Sequence, residues 1–135
     1  MGGAPSRWLR LAEGSLGAGE VLRDSGELRS AISRLYYSTY QAAHAIIATT
    51  PKWDDRPRRG NWQHEALANS VYATLKTELR KPKAAAGQLH AMFQLAMNAR
   101  VMADYMPMVE PDDLTAKETW RAASVFVSLA RQQVG

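Results

Sequence analysis

Apolar residues in this chain recur at steps of three and four in five blocks, and nowhere do they alternate with the period of two that a half-buried strand needs. A chain with that pattern has only helices from which to build a core. Turn formers separate the blocks: Asp24-Ser25-Gly26, Pro51, Lys81-Pro82-Lys83, then Pro107 and Pro111. The spacing predicts helices over residues 6–23, 27–48, 62–80, 84–106 and 112–133. Asn61 is the expected cap of the third helix, and Asp112 or Asp113 that of the fifth.

The expected core faces follow from the same spacing. They are Leu9, Ala12, Leu16 and Leu22 in the first helix, and Leu28, Ala31, Ile32, Leu35, Thr39, Ala42 and Ile46 in the second. Leu89, Phe93, Ala96 (or Met97) and Val101 serve the fourth, and Trp120, Ala123, Val127 and Ala130 the fifth. Arg34, Tyr37, Ser38 and Gln41 form a polar stripe on the second. Gly14, Gly17 and Gly19 each weaken the first helix by up to ~1 kcal/mol, so packing must hold it, and small residues there permit close approach.

The expected fold class is all-α: a single domain, ordered over about residues 8–133, forming an up-and-down bundle of about five helices. Strict alternation would set the starts of helices one, three and five beside the ends of helices two and four. That pole would gather Arg7, Trp8, His44, the charged loop at 49–61, Trp62, His64, Arg100, Asp104, Tyr105, Asp112 and Asp113. His90 would lie at the other pole.

Composition narrows the class. Of 135 residues, 46% are hydrophobic and 22% charged, enough for one real core and too apolar for a disordered chain. The absence of cysteine excludes disulfides and thiolate metal sites and fits a reducing compartment. No apolar run approaches the roughly 18 residues of a membrane span, and the start lacks a signal-peptide stretch, so a cytoplasmic protein with no membrane partner is expected. Gly2 with Ser6 is only a generic match to a myristoylation signal. The net charge of +4 resides within residues 52–83, and arginines outnumber lysines 12 to 5. Arginine forks suit phosphate, although a GC-rich genome gives the same bias.

Two segments resemble a known family. Ala12-Glu13-Gly14-Ser15-Leu16, Gly26, Ala31-Ile32-Ser33-Arg34-Leu35-Tyr36-Tyr37 and Ala42-Ala43 resemble the start of a HEPN domain. Arg100-Val101-Met102-Ala103-Asp104-Tyr105 resembles that family's second signature, near the end of its fourth helix. The resemblance implies a small, usually dimeric helical bundle. Many members are metal-independent endoribonucleases that act as toxins or defence effectors, several beside a minimal nucleotidyltransferase antitoxin. Their catalytic motif is an arginine followed by histidine after four to six residues. Here Tyr105 stands after Arg100 at that spacing, and no histidine follows Arg100 anywhere.

Against this background, Arg100 and Asp104 lie one helical turn apart, either as a local ion pair or as an arginine held for phosphate. Tyr105 is a hydroxyl for a phosphate, a nucleotidyltransferase target, or a half-buried tyrosine. Arg34, among apolar neighbours, needs a partner: Asp104 in a structural ion pair, or a ligand phosphate. Tyr37 belongs with it as a binding residue. His64, four residues after Arg59, is the candidate base to take a ribose 2′-OH proton while Arg100 steadies the phosphorane, with His44 as the alternative. The spacing from Arg59 also arises by accident. Lys52, Arg56, Arg58 and Arg59 around Trp53 read either as a phosphate-binding loop with a stacking platform or as a solvated loop. The methionines at 92, 97, 102, 106 and 108 suit packing. Glycine-rich phosphate loops, nucleophile elbows and metal-ligand spacings are absent, so no cofactor or metal is expected. Three functions remain open: an RNA-directed toxin or defence effector with endoribonuclease chemistry, a catalytically degenerate module binding nucleotide, RNA or a nucleotidyltransferase, and a structural adaptor. A homodimer is the expected assembly.

Overall fold

The computed structural model describes residues 3–58 and 60–135. Gly2 and Arg59, with the myristoylation, phosphate-binding and Arg59–His64 spacing readings attached to them, lie outside the described residues. Among those residues the chain forms five α-helices and no strand: α1 Ala4–Asp24, α2 Leu28–Ala48, α3 His64–Thr77, α4 Lys83–Tyr105 and α5 Asp113–Val134. One 3₁₀ turn, Pro51–Asp55, interrupts the long connection between α2 and α3. No helix there is long and apolar enough to cross a membrane.

The α2 helix is the central element, and nearly every residue from Ala42 to Ile47 is fully buried because other helices cover more than one of its faces. The core is rich in alanine (Ala12, Ala42, Ala43, Ala68, Ala86, Ala96, Ala122, Ala130), which brings helix axes close. Bulk is concentrated where Tyr36, Phe93 and Phe126 meet edge to face at 5.9 Å centroid spacing. Of the three glycines of α1, only Gly19 serves close packing: a Cβ there would lie 2.5 Å from Leu35 Cδ2, whereas Gly14 and Gly17 face open space. Ser38, expected on the polar stripe, is fully buried and donates to the Ala12 carbonyl at 2.7 Å. Val101 turns outward instead of into the core.

The direction of α3 departs from strict alternation. Arg29 at the start of α2 lies against the end of α4, and Tyr36 against Phe93 further back, so α2 and α4 are antiparallel. Glu65 meets Gln94 and Tyr72 meets His90, so α3 is antiparallel to α4 and runs in the same sense as α2. Alternation follows only when connections are short. The segment between Ala48 and His64 is long enough to turn back along the bundle, with Trp53 and Trp62 packed on His44. The helix itself begins at His64 and ends at Thr77, inside the expected 62–80. Its cap residue is Gln63, without a side-chain cap bond, rather than Asn61. Asp112 does cap α5, accepting from the Thr115 amide at 2.8 Å.

Candidate functional site

The antiparallel α2–α4 contact divides the expected single pole in two. Trp8, His44, Trp53 and Trp62 gather around the end of α2. Arg100, Asp104 and Tyr105 instead meet the first half of α2, beside Ser33 and Tyr37. His44 is ten positions beyond Arg34, about 15 Å of helix rise.

Two ladders at four-residue steps on α2 build the site. Arg29, Ser33 and Tyr37 face the end of α4. The Arg29 guanidinium donates to the carbonyls of Ala103 at 2.7 Å, in the last turn of α4 where carbonyls lack helical partners, and of Met106 at 3.3 Å and Val109 at 2.6 Å just beyond it. This fixes the end of α4 against α2. Ser33 then donates to Asp104 at 3.3 Å, and Tyr37 meets Arg100. The second ladder, Tyr36, Tyr40 and His44, forms a continuous aromatic row, with Tyr40 and His44 centroids 4.7 Å apart.

Arg100 is the focus. Its Nε donates to Asp104 at 3.0 Å, and one terminal nitrogen donates to the Tyr37 hydroxyl at 3.0 Å and the Tyr105 hydroxyl at 3.3 Å. Its Cζ stands over the rings of Tyr36, Tyr37 and Tyr105 at 5.8, 5.4 and 5.3 Å. The side chain is only 11% exposed, and that of Asp104 27%. Burial works against the charge, but Tyr37, Tyr105, Asp104 and Tyr36 outweigh it and push the arginine pKa up. The guanidinium is a fixed, fully charged group with much of its donor capacity already in use.

A groove of about 560 Å³ opens beside it, lined by Leu22, Arg29, Ser30, Ser33, Arg34, Tyr37, Ala103 and Asp104. Arg34 is exposed on this groove and forms no ion pair among the described residues. The expected Arg34–Asp104 pair therefore gives way to Arg100–Asp104, because the short turn within α4 outcompetes a reach between helices. Arg29 and Arg34 line the groove together with Asp104, the carboxylate that Arg100 holds, with serine and tyrosine hydroxyls along the same wall. A groove of about 600 Å³ between α4 and α5 has Lys81 as its only titratable group.

His64 and Arg100 flank the same Tyr36 ring. The His64 ring centroid is 5.8 Å from it, and Nδ1 lies 2.7 Å from the Tyr36 hydroxyl. Burial, then the Arg100 charge, pull the His64 pKa down, so the imidazole is neutral at neutral pH. His44, by contrast, is fully enclosed, stacked on Trp8 at 4.3 Å, with its pKa lowered to about 4 by burial. A base sealed from solvent cannot reach a substrate, so His44 is a packed side chain.

The loop stands apart. Trp53 is half-buried against His44 and Trp62, and Arg56 lies over its ring at 4.7 Å. Trp53 is thus covered on both counts rather than presented as an open stacking platform. Arg56 and Arg58 are exposed, and Lys52 lines a separate pit with Trp62 and Asn69. None of them lines the α2–α4 groove.

Nothing in the residue types alone singles out Arg29 or Tyr36; the sequence signal that places them is the four-residue spacing 29–33–37 and 36–40–44. A scan against protein-family models finds no match, and a search of curated proteins finds none either.

Proposed function

We propose that this chain is a HEPN-like module that binds a phosphate-bearing ligand, RNA or nucleotide, in the groove between α2 and α4. The observation that carries this is a pair of unlike arginines: Arg34, exposed on the groove and in no ion pair among the described residues, and Arg100, immobilised just behind the groove wall by Asp104, Tyr37 and Tyr105, the first two of which line it. A held guanidinium orients a phosphate without further ordering cost, and a mobile one adds charge and on-rate. The serine hydroxyls supply neutral donors between them. The setting, an RNA-directed toxin or defence effector with a nucleotidyltransferase partner, is what the family resemblance implies. Exposed Val101, Met106, Met108 and Leu114 at the end of α4 and start of α5 support a homodimer joined near this site.

Fluorescence-anisotropy titration of labelled single-stranded RNA tests the reading. Wild type binds with an affinity that falls as salt rises. Arg34→Gln weakens binding several-fold and lowers the log–log salt slope by about one. An Arg34→Gln protein with unaltered affinity and slope contradicts it.

One observation favours a second reading, metal-independent cleavage through the ribose 2′-OH: a neutral histidine, His64, lies on the far side of Tyr36 from Arg100. Cleavage of structured RNA in EDTA, abolished by Arg100→Ala, supports that reading; intact RNA beside tight binding supports the first.

A further inference from the structure

We propose that Tyr36 is a positioning residue that locks His64 in its Nε2–H tautomer, making His64 a neutral hydrogen-bond donor to a phosphoryl oxygen rather than a base. This rests on the phosphate-binding reading of the α2–α4 groove and adds a donor outside the groove lining, across the Tyr36 ring from Arg100.

The argument is one of hydrogen-bond inventory. Tyr36 is fully buried, so water offers its hydroxyl no alternative partner, and its one hydrogen bond among the described residues is to His64 Nδ1 at 2.7 Å. Burial in this aromatic cluster raises the phenol's pKa, so the hydroxyl keeps its proton. A protonated phenol with a single partner donates to it. Nδ1 is then the acceptor, and the ring proton of the neutral imidazole resides on Nε2. Among the described residues Nε2 has no hydrogen-bond partner, and it is not one of their enclosed unpaired polar atoms, so with respect to them it stays open to solvent. The groups facing His64 preserve this state: Tyr36 and Tyr40 from α2 and Arg100 from α4, with Glu65 exposed next along α3. The Arg100 charge opposes a second proton on the ring. A base must offer a lone pair toward the ribose hydroxyl, and the solvent-facing nitrogen here offers a hydrogen.

The other histidine of the aromatic row supplies an internal control. His44 Nδ1 lies 3.0 Å from the Tyr40 carbonyl oxygen, which can only accept. His44 is therefore the Nδ1–H tautomer, with a bare, enclosed Nε2. One protein holds the two tautomers in opposite senses.

Long-range proton–nitrogen correlation spectra of the isotope-labelled full chain at neutral pH read both directly. Expected is a bare Nδ1 for His64 and a bare Nε2 for His44 in the same spectrum, with assignment by loss of signals in His64→Gln. A proton on His64 Nδ1 overturns the proposal. In Tyr36→Phe the His64 signals move toward an average of both tautomers; an unmoved pattern overturns the role of Tyr36. If that variant fails to fold, the wild-type spectrum still decides. In titrations with single-stranded RNA, His64→Ala weakens binding about tenfold, and His64→Gln, whose amide supplies an N–H, recovers most of the loss. Full-strength binding by His64→Ala while Arg34→Gln is impaired overturns the donor role and leaves the groove reading standing. Failure of the wild type to bind RNA removes the groove reading and the donor role together, while the spectra still decide the lock.

Discussion

Arg100 keeps its charge in a nearly dry setting because every contact around it is electron-rich: one carboxylate, two phenol oxygens and three ring faces. His44 survives burial in the opposite way, by staying neutral. Its folded pKa of about 4 lies below the ordinary 6.5, so the unfolded chain takes up a proton first as pH falls. Its contribution to stability is complete above about pH 6.5 and is lost progressively toward pH 4, a linkage of about 3 kcal/mol. Urea midpoints measured across this range should fall less steeply for His44→Phe than for wild type; parallel curves would contradict the burial argument. The Arg100–Asp104 turn was legible from sequence because a four-residue step on a helix fixes geometry locally. The identity of Arg34's neighbours was not, because burial of a mid-helix arginine depends on whether a second helix covers that face. No helix covers it, and Arg34 is exposed.

Close contact between α1 and α2 depends on one glycine, and the rest of the glycines in α1 are a cost without a packing return. Gly17→Ala should raise stability by roughly 0.5–1 kcal/mol, since its Cβ meets open space. Gly19→Ala should lower it by about 1–3 kcal/mol, because Leu35 must move away from the new methyl. Thermal or urea unfolding of the two variants checks the pair, and stabilisation by both would show that the helices do not approach as described. The positions of α1, α2, α4 and α5 were readable within one or two residues, since periodicity and turn formers agree there. The direction of α3 was not. Direction is set by what the connection permits, and a connection containing its own 3₁₀ turn permits either sense. The ladders on α2 were present in the spacing all along, yet only the antiparallel α4 assigns 29–33–37 to the site and 36–40–44 to the aromatic row.

Across the molecule, positive charge collects in two separate places. Half of the formal excess lies in residues 49–61, a segment that packs by Trp53 near the end of α2. The guanidinium cluster of the α2–α4 groove lies toward the other end, beside the carbonyls that Arg29 gathers. Net charge by itself pointed to the first, and side-chain geometry points to the second. The most direct measurement is amide chemical-shift mapping during titration of the labelled protein with single-stranded RNA. The account predicts that the largest shifts fall on Ser30, Ser33, Arg34, Tyr37 and Asp104, with saturation at matched ratios. Shifts confined to residues 52–58, with the groove signals unmoved, would contradict it.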